Sequence, residues 1–418
     1  MLDFLKRIIA FAAMLLAWAL GLGAEETAPP RVSLLTISPG SIIYELDGHT
    51  AMRFQSPGEY DYVVNWGVFD FAAPNFLYRF VKGETDYMAW PFPFSAFMEE
   101  YRRQGREMTE QVLDLTPEQA ARLEALVSDN LRPENRTYRY NYIYDNCATR
   151  PLALIEQAVE NPVEIPEAEG FTYGETGIVD TPGSHTFRGE MTRTHADYPW
   201  YQLGIDLALG NGLDREISPR ERTYSPLYLK DALSRATYTG EDGVKHPLVK
   251  STSVILPAKG RVTEGATPFL LSPILVSLVI LLVTVFIAVR DLRRRKVTRW
   301  YDSLLYSCFF IVSLLLTFLI FISVHEATSP NWLYLWLNPL TVIPAALIWP
   351  KSLQRVVYFY QICNFVALFL LFGIGILGIQ CLNGAFYPLI GADMLLSARY
   401  IYIFRKNHSP ERQIQNRK

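Results

Sequence analysis

The chain has 418 residues, half of them hydrophobic, and a formal net charge of −3 at pH 7. This balance, with the basic residues clustered beside apolar runs, argues against a protein that binds a polyanion such as nucleic acid. The apolar residues are concentrated after about residue 265, whereas the residues before it have the composition of an ordinary globular domain. The sequence therefore predicts a globular domain followed by a membrane-embedded region.

The N-terminal segment has the layout of a signal peptide. Lys6 and Arg7 precede an apolar run from Ile8 to Leu20, and small residues follow up to Ala24. A basic start, a short apolar stretch and small residues near the cleavage site are typical of secretory signals. Residues 1–24 are therefore predicted to be a signal peptide that exports the domain after them. An uncleaved anchor is the alternative, and it would leave that domain on the same side of the membrane.

Strands and a helix are predicted in the first half of the exported domain. Val32 to Ile37, part of Ile42 to Phe54, and Tyr60 to Phe71 are rich in β-branched and aromatic residues, which favours strands. Thr116 and Gln119 have the spacing of a capping box, in which each side chain hydrogen-bonds the other residue's backbone N–H. Apolar residues follow at helical spacing, so a helix with one apolar stripe is predicted to begin at this point.

A tyrosine stands at every second position from Tyr138 to Tyr144. Residues two apart in a strand share one face of the sheet, so this alternation predicts a strand with a tyrosine face. Apolar residues at helical spacing follow, and they predict a helix from about Cys147 to Val159. Pro151 is compatible with that helix because it falls in the first turn.

Four or five long apolar segments follow residue 265, each near the roughly 20 residues that cross the hydrocarbon core of a bilayer. They run approximately from Phe269 to Val289, Leu304 to Val324, Trp332 to Trp349, Val356 to Ile379 and Phe386 to Phe404. The third contains two prolines and has the weakest pattern. Lys and Arg cluster after the first, third and fifth segments, so the positive-inside rule predicts an exported domain and a cytoplasmic C-terminus.

Cys147 is the one cysteine outside the apolar C-terminal region; the others are Cys308, Cys363 and Cys381. An unpaired thiol exported to an oxidising compartment is a liability unless its reactivity is used. A helix N-terminus and an adjacent histidine would lower the thiol pKa from about 8.5, and backbone N–H groups there would hold an oxyanion. We therefore interpret Cys147 as a candidate nucleophile. The alternative is the commoner role of a lone cysteine, a small buried hydrophobic residue.

A nucleophilic thiol needs a base within hydrogen-bond reach. His49 begins a predicted strand, where its position would be rigid, whereas His185, His195 and His246 lie in loop-like segments. Because a rigid base suits general base catalysis, His49 is the predicted base. The alternative is that His49 is structural, which is the commoner role for a lone histidine.

Several motifs together resemble a known family. They are Pro39-Gly40, Tyr44-Glu45, Gly48-His49-Thr50, Asn65-Trp66-Gly67, Phe69-Asp70-Phe71, Lys82-Gly83-Glu84, the hexapeptide from Asp145 to Arg150, and the stretch from Asn331 to Pro339. They resemble the Lnb-type bacterial lipoprotein N-acyltransferases, which have an exported Cys/His domain and a C-terminal membrane bundle. The order of His before Asn-Cys is also similar to the permuted papain-like group that includes lecithin:retinol acyltransferases.

The resemblance implies an acyl transfer without a cofactor or a metal. The Cys147 thiolate would take an acyl chain from a phospholipid as a thioester, with His49 as the base. The acceptor would be the α-amine of a diacylated lipoprotein's N-terminal cysteine. Asn65 is the candidate for orienting His49, with Asp47 and Asp70 as alternatives.

Further residues are candidates for supporting the substrate. Asn146 and Arg150 lie beside the thiol and are candidates for holding an oxyanion or the substrate, and Arg150 or Arg53 could meet a phosphate head group. His325 precedes an aromatic stretch at the outer membrane surface and is a candidate for receiving lipid. The alternative is that all of them have ordinary structural roles.

These predictions combine into an α+β protein of the bacterial inner membrane with four parts. They are a signal peptide at residues 1–24, a periplasmic domain of permuted papain-like fold at residues 25–265, an all-α transmembrane bundle of about five helices at residues 266–404, and a cytoplasmic tail at residues 405–418. Two other functions are compatible with the same sequence features. One is a membrane-anchored thiol peptidase or amidase of the envelope, and the other is a membrane scaffold with an inert domain.

Overall fold

The computed structural model describes residues 29–166, 185–260 and 265–408, and the backbone alone of residues 172–173 and 178–179. The predicted signal peptide and the end of the predicted tail after residue 408 lie outside the described residues. Within them, a sheet-rich N-terminal domain is followed by a helical C-terminal region. The predicted α+β class with a membrane-embedded C-terminal part is confirmed in this form. The more specific comparison with a permuted papain-like fold stays a prediction.

A seven-stranded antiparallel sheet organises the N-terminal domain. The strands, in chain order, are β1 (Arg31–Ile37), β2 (His49–Ser56), β3 (Tyr60–Val68), β4 (Asp86–Pro93), β5 (Met108–Leu113), β6 (Thr137–Arg139), β7 (Thr172–Tyr173), β8 (Ile178–Val179), β9 (Thr237–Thr239), β10 (Lys245–Pro247) and β11 (Val249–Leu256). The sheet order is β11-β5-β1-β2-β3-β4-β6, and β7 with β8 and β9 with β10 form separate two-stranded pairs.

The α-helices continue the same order along the chain. The N-terminal domain has α1 (Phe76–Lys82), α2 (Phe94–Gln104), α3 (Pro117–Asn130), α4 (Thr149–Val159), α5 (Phe187–Thr194), α6 (Pro199–Ala208), α7 (Pro219–Arg222) and α8 (Pro226–Leu233). The C-terminal region has α9 (Pro273–Arg294), α10 (Arg299–Phe321), α11 (Val342–Leu347), α12 (Gln354–Ile376) and α13 (Phe386–Asn407).

The central strands β1 and β2 are buried on both faces of the sheet, to which alternate residues of a strand point in turn. On one face, Leu34 and Met52 join the core formed with α3 and α4. On the other face, Leu35 and Ala51 pack against Phe97 of α2. Consecutive residues of β1 and β2 are therefore buried, including polar ones such as Ser33 and Thr50, and packing on both sides fixes the positions of these strands.

The helix predicted from the capping box is confirmed. Gln119 N–H donates to Thr116 Oγ1 at 3.2 Å, and Thr116 N–H donates to Gln119 Oε1 at 3.0 Å. These bonds satisfy backbone donors that a helix start leaves without partners. Leu123 and Val127, on the predicted apolar stripe, are fully buried against the sheet.

The tyrosine-rich strand before the cysteine is shorter than predicted. β6 ends at Arg139, and the chain then turns, with Asn141 and Asp145 forming an isolated bridge. The side-chain oxygen of Asn141 accepts from the backbone N–H of Ile143 at 3.0 Å and of Tyr144 at 3.1 Å, which closes the turn. The prediction of one tyrosine face was therefore wrong beyond Tyr140, because an asparagine-centred turn replaces the strand.

Within the described residues, three helical stretches are long and apolar enough to cross a membrane: Pro273–Arg294, Arg299–Phe321 and Lys351–Ile376. They correspond to the first, second and fourth predicted segments. The fifth predicted segment is α13, which packs against α9 and α12. The third predicted segment is not one helix, because the chain is broken into 3-10 turns at Trp332–Leu335 and Pro339–Thr341 before α11 begins.

The broken segment still runs the length of its neighbour α10. Near its start, the ring of Tyr334 lies 5.4 Å from that of Phe321, the last residue of α10. Near its end, the carbonyl of Ala345 accepts from Ser303, close to the beginning of α10. The prediction of a continuous helix was wrong because Asn338 caps a new turn that begins at Pro339. The side-chain oxygen of Asn338 accepts a hydrogen bond from the backbone N–H of Leu340.

A buried cation holds the helices of the C-terminal region together. Arg399 of α13 is fully buried and pairs with Asp291 of α9 at 2.7 Å and with Asp302 of α10. Asp393 is also buried, and it accepts from Tyr306 at 2.6 Å. Charged groups are costly in an apolar bundle unless they are paired. Arg399 and Asp393 both face the interior of the bundle.

The N-terminal domain is attached to the bundle at the C-terminal end of α1. Val324 N–H donates to Lys82 O at 2.8 Å, Ser323 Oγ to Val81 O at 3.1 Å, and His325 Nε2 to Phe80 O at 2.9 Å. The last carbonyls of a helix lack partners within it, so this loop completes α1. The helix therefore lies where the membrane-spanning helix α10 ends.

Candidate active site

Cys147 lies in the turn before α4 and against the first residues of β2. Cys147 is 8% exposed, and the backbone N–H of Thr50 lies close enough to its sulfur to lower the thiol pKa. Thr50 directly follows His49 in β2. The fold therefore brings the thiol to the start of the strand that carries His49, a residue far from it in the sequence.

His49 is held by Asn65 from the neighbouring strand. β2 and β3 pair in an antiparallel register with Ala51 opposite Asn65, and His49 Nε2 hydrogen-bonds Asn65 Oδ1. Because an amide oxygen only accepts, Nε2 carries the proton of the neutral imidazole and Nδ1 keeps its lone pair. Nδ1 is therefore the nitrogen that can act as a base. Asn65 lies where an orienting residue is needed, and its effect on activity stays a prediction.

Burial keeps the thiol protonated. It raises the pKa of Cys147 to about 11, against the opposing effect of the Thr50 hydrogen bond, and the charge of Asp47 adds to the increase. The expectation that a helix N-terminus would lower this pKa was wrong. Cys147 precedes Thr149, the first residue of α4, and removal of the thiolate from water outweighs the nearby dipoles.

Burial also keeps the imidazole neutral. It lowers the pKa of His49 to about 4, against the opposing hydrogen bond to Asn65, and the charge of Arg106 lowers it further. At neutral pH the site thus contains a thiol and an uncharged imidazole with a free lone pair. These protonation states suit a transfer of the thiol proton to the imidazole during attack on a substrate. They do not suit a thiolate–imidazolium pair that forms before the substrate binds.

Asn146 positions the turn that carries the thiol. Its Oδ1 accepts from the backbone N–H groups of Ala148 at 2.8 Å and Thr149 at 2.9 Å. Its Nδ2 donates to the carbonyls of Tyr142 at 2.8 Å and Tyr224 at 2.9 Å. Both of its amide hydrogens and the first N–H groups of α4 are therefore occupied. The structure does not favour Asn146, or those N–H groups, as oxyanion donors.

The two arginines proposed for a phosphate group are both paired. Arg150 donates to both oxygens of Asp145, at 2.5 and 2.8 Å, and lies 3.5 Å above the ring of Tyr138. Arg53 is buried between two carboxylates, one of them Asp61 at 2.6 Å. Such bidentate pairs neutralise the guanidinium and fix its orientation. Neither arginine is placed to attract a phosphate.

His325 is not in the thiol site. It lies on the loop that caps α1, with its ring against Gly83, where an added Cβ would be 3.1 Å from the ring. Gly83 also has a φ of 82°, which side-chain-bearing residues rarely adopt, so two constraints favour glycine there. His325 therefore joins the bundle to the N-terminal domain, and the prediction that it receives lipid is untested.

A second ionisable pair adjoins the site, and the sequence analysis did not identify it. Asp47 accepts from Tyr142 and from Thr194, each at 2.5 Å, and its carboxylate lies 3.3 Å from His195 Nε2. Burial alone would raise the pKa of Asp47, yet His195 and the donated hydrogen bonds hold it below its ordinary value. The same pairing raises the pKa of His195 despite its burial.

This pair is connected to the bundle by a chain of polar side chains. His195 Nδ1 lies 2.7 Å from Gln202 Oε1, and Gln202 Nε2 donates to Asp206 at 2.8 Å. Asp206 in turn accepts from Asn383, just before α13, at 2.8 Å. Hydrogen-bonded buried polar groups fix a single geometry. The turn at Asp47, which leads into His49, is therefore tied to the membrane helices.

Among the described residues, no cluster of three or more His, Cys, Asp or Glu side chains is arranged to hold a metal ion. The arrangement provides a candidate nucleophile, a candidate base with a defined tautomer, and an amide that fixes the imidazole. These groups suit transfer of an acyl group through a covalent intermediate, or hydrolysis by the same route.

Comparison with protein families gives two matches within one family. Residues 25–168 match the model described as the Lnb N-terminal periplasmic domain, and residues 264–408 match the model described as the Lnb transmembrane domain. No significant match was found among curated proteins or among solved structures. The two matches together cover most of the chain. The chain therefore belongs to the Lnb-type family, whose domains indicate a lipoprotein-modifying membrane enzyme with a periplasmic N-terminal domain.

Proposed function

We propose that the protein is a lipoprotein N-acyltransferase that carries the acyl chain on Cys147. The observation that best supports this function is the Cys147 sulfur against the backbone of Thr50, the residue after His49, with His49 held by Asn65. Membership of the Lnb-type family supports the lipoprotein as the substrate class. A phospholipid is the acyl donor, and a diacylated lipoprotein is the acceptor. The C-terminus is in the cytoplasm, as the distribution of basic residues predicts.

In the first half-reaction, the sulfur of Cys147 attacks the ester carbonyl carbon of the phospholipid while His49 Nδ1 takes the thiol proton. The tetrahedral intermediate then loses the lysophospholipid alkoxide, which takes that proton from His49. A carbon–sulfur bond forms and a carbon–oxygen bond breaks, which leaves a thioester and a neutral alcohol. General base catalysis of this kind contributes about 10²–10⁴-fold to a rate.

In the second half-reaction, the α-amine of the lipoprotein attacks the thioester and His49 accepts the amine proton. The thiolate leaves and is reprotonated by His49, so the enzyme returns to its starting state. The net change converts an ester and an amine into an alcohol and an amide, and it needs no cofactor. Water would hydrolyse the thioester, so the buried position of Cys147 favours transfer by limiting access of water.

The competing function is a thiol peptidase or amidase, which would use the same two residues. The attachment of the domain to the bundle favours a lipid donor. The thiol site is linked to the bundle through α1 and through Asp206 and Asn383. A peptidase would need one anchor at most, whereas an enzyme that draws acyl chains from a bilayer needs its site held at the membrane surface.

Mass spectrometry of lipoprotein N-terminal peptides tests the proposal in cells. Cells with the wild-type enzyme should contain lipoproteins with an N-acyl chain, and cells with Cys147→Ala should lack it. Cys308→Ala, in α10, is the matched control and should behave like the wild type. Equal acyl-chain counts with wild type and Cys147→Ala would refute acyl transfer and favour the hydrolase.

A further inference from the structure

Five aromatic side chains form a continuous cluster beside the candidate site. We call it the aromatic path; it consists of Tyr44, Phe69, Phe71, Phe76 and Phe80. Neighbouring ring centroids lie 4.6 Å apart for Phe69 and Phe71, 5.1 Å for Phe71 and Phe76, and 6.0 Å for Phe76 and Phe80. Tyr44, Phe71 and Phe80 are nevertheless exposed. A contiguous exposed apolar patch on a globular domain marks an interaction surface.

The inner end of the aromatic path reaches the surroundings of the thiol. The ring of Phe69 lies 5.0 Å from that of Tyr87, and Tyr87 stacks on Tyr140 at 4.4 Å. Phe69 and Tyr140 both pack against the buried core cluster that contains Cys147. Ring contacts therefore run without a break from the aromatic path to the buried core that contains Cys147.

The outer end of the aromatic path lies at the membrane boundary. Phe76 and Phe80 belong to α1, whose last carbonyls are bound by the loop after α10. On the same helix, the ring of Tyr78 lies 6.0 Å from that of Phe318 in α10. Phe321, the last residue of α10, is itself exposed, as expected for a lipid-facing position. The path therefore begins at the level where a membrane-spanning helix ends.

We propose that the aromatic path is the docking surface for the acyl chain of the lipid donor, from the bilayer boundary to Cys147. This inference rests on the proposed function and specifies how its donor binds. The path is continuous with the lipid-facing surface at one end and with the core around the thiol at the other. Its members are apolar apart from the hydroxyl of Tyr44. Rings along the whole path offer continuous apolar contact to a long hydrocarbon chain. Burying such a chain is favourable in proportion to the apolar surface area that is removed from water.

A comparison of two acyl donors tests the inference. Formation of acyl-Cys147 is measured in the full-length protein in detergent, without an acceptor, from a long-chain phospholipid and from a water-soluble short-chain ester. Phe71→Ser should slow acylation by the phospholipid about tenfold, the effect of losing contact with about two methylene groups, and leave the short-chain rate within about twofold. Phe71→Leu should restore most of the phospholipid rate because it keeps an apolar surface.

Val254→Ser is the matched control, because Val254 is 55% exposed and Phe71 is 60% exposed, but Val254 lies on β11 at an edge of the sheet. It should leave both rates unchanged. An unchanged phospholipid rate in Phe71→Ser would overturn the inference, as would an equal loss with both donors.

Two further measurements on Phe71→Ser, the transfer from acyl-Cys147 to a lipoprotein and the oligomeric state, test the other occupants that the aromatic path could have. A defect confined to transfer from acyl-Cys147 to the lipoprotein would assign the path to the acceptor and overturn the inference. A change from dimer to monomer in Phe71→Ser would assign it to a second copy and also overturn it. Failure of the wild-type protein to be acylated by either donor is a different result, because it would refute the proposed function itself.

Discussion

The protonation state of the resting thiol is the sharpest physical prediction. The pKa of Cys147 is about 11 and that of His49 is about 4, so the two values differ by about seven. For the two groups taken separately, moving the proton from sulfur to imidazole costs on the order of 10 kcal/mol, and the attraction within the resulting ion pair offsets only part of that cost. A thiolate–imidazolium pair is not populated before a substrate arrives, and Cys147 should react slowly with alkylating reagents at neutral pH.

The rate of alkylation of Cys147 by iodoacetamide, followed against pH, measures this state. The assay uses the full-length protein with its other three cysteines replaced by serine: Cys308, Cys363 and Cys381. Because the thiolate is the reactive form, the rate should keep rising from pH 5 to about pH 9 without a plateau.

The variant His49→Ala is the decisive control. In this account burial sets the thiol pKa, so removing the imidazole should leave the alkylation profile nearly unchanged. A plateau reached below about pH 7 that disappears in His49→Ala would show a preformed ion pair and refute the reasoning. A protonated resting thiol also has an advantage in an oxidising compartment, because oxidation of cysteine begins from the thiolate.

Three further variants test other parts of the account. Asn65→Ala should slow acylation of the site thiol by about tenfold or more because the imidazole loses the group that fixes its tautomer, and single-turnover rates with a short-chain ester measure this. Asp47→Asn should lower the pKa of the site thiol, since the carboxylate charge now raises it, and alkylation at pH 9 should become faster. Arg399→Leu should lower stability by about 3–5 kcal/mol because it leaves buried carboxylates without a cation, whereas the exposed Arg293→Leu should have little effect on thermal unfolding in detergent.

Much of the fold could be predicted from local sequence patterns. The capping box at Thr116 and the apolar periodicity after it are local signals, and the helix begins where they predict. The strands containing His49 and Asn65 follow from their β-branched and aromatic residues. The meeting of Cys147 with the start of β2 required more than local patterns, and it was predicted from residue chemistry and family resemblance.

The failures have physical causes in turn chemistry and burial. Alternating tyrosines predicted a strand through Tyr144, but the side chain of Asn141 offers the backbone a turn, and this signal is readable in the sequence. The thiol pKa was predicted in the wrong direction because the sequence does not reveal how deeply Cys147 is buried. The pairing of Asp47 with His195 joins distant segments and has no local signal.

In the membrane region, too, some elements could be predicted from the sequence and others could not. The length of the apolar segments correctly predicted those helices whose sequences contain no turn signal. The segment from Trp332 to Trp349 has enough apolar residues for a span, but Asn338 and Pro339 start a new turn within it. The pairing of Arg399 with two aspartates follows from the cost of an isolated charge in lipid, which indicates that a partner exists without identifying it.

The central claim is that an acyl chain is carried on the sulfur of Cys147. Peptide mass spectrometry of the purified full-length protein, incubated with isotope-labelled phospholipid and no acceptor, tests it most directly. The account predicts one labelled acyl group on the peptide containing Cys147, sensitive to hydroxylamine, much reduced in His49→Ala and absent in Cys147→Ala. Label on another residue, or no label while the same preparation still N-acylates a lipoprotein, would contradict it.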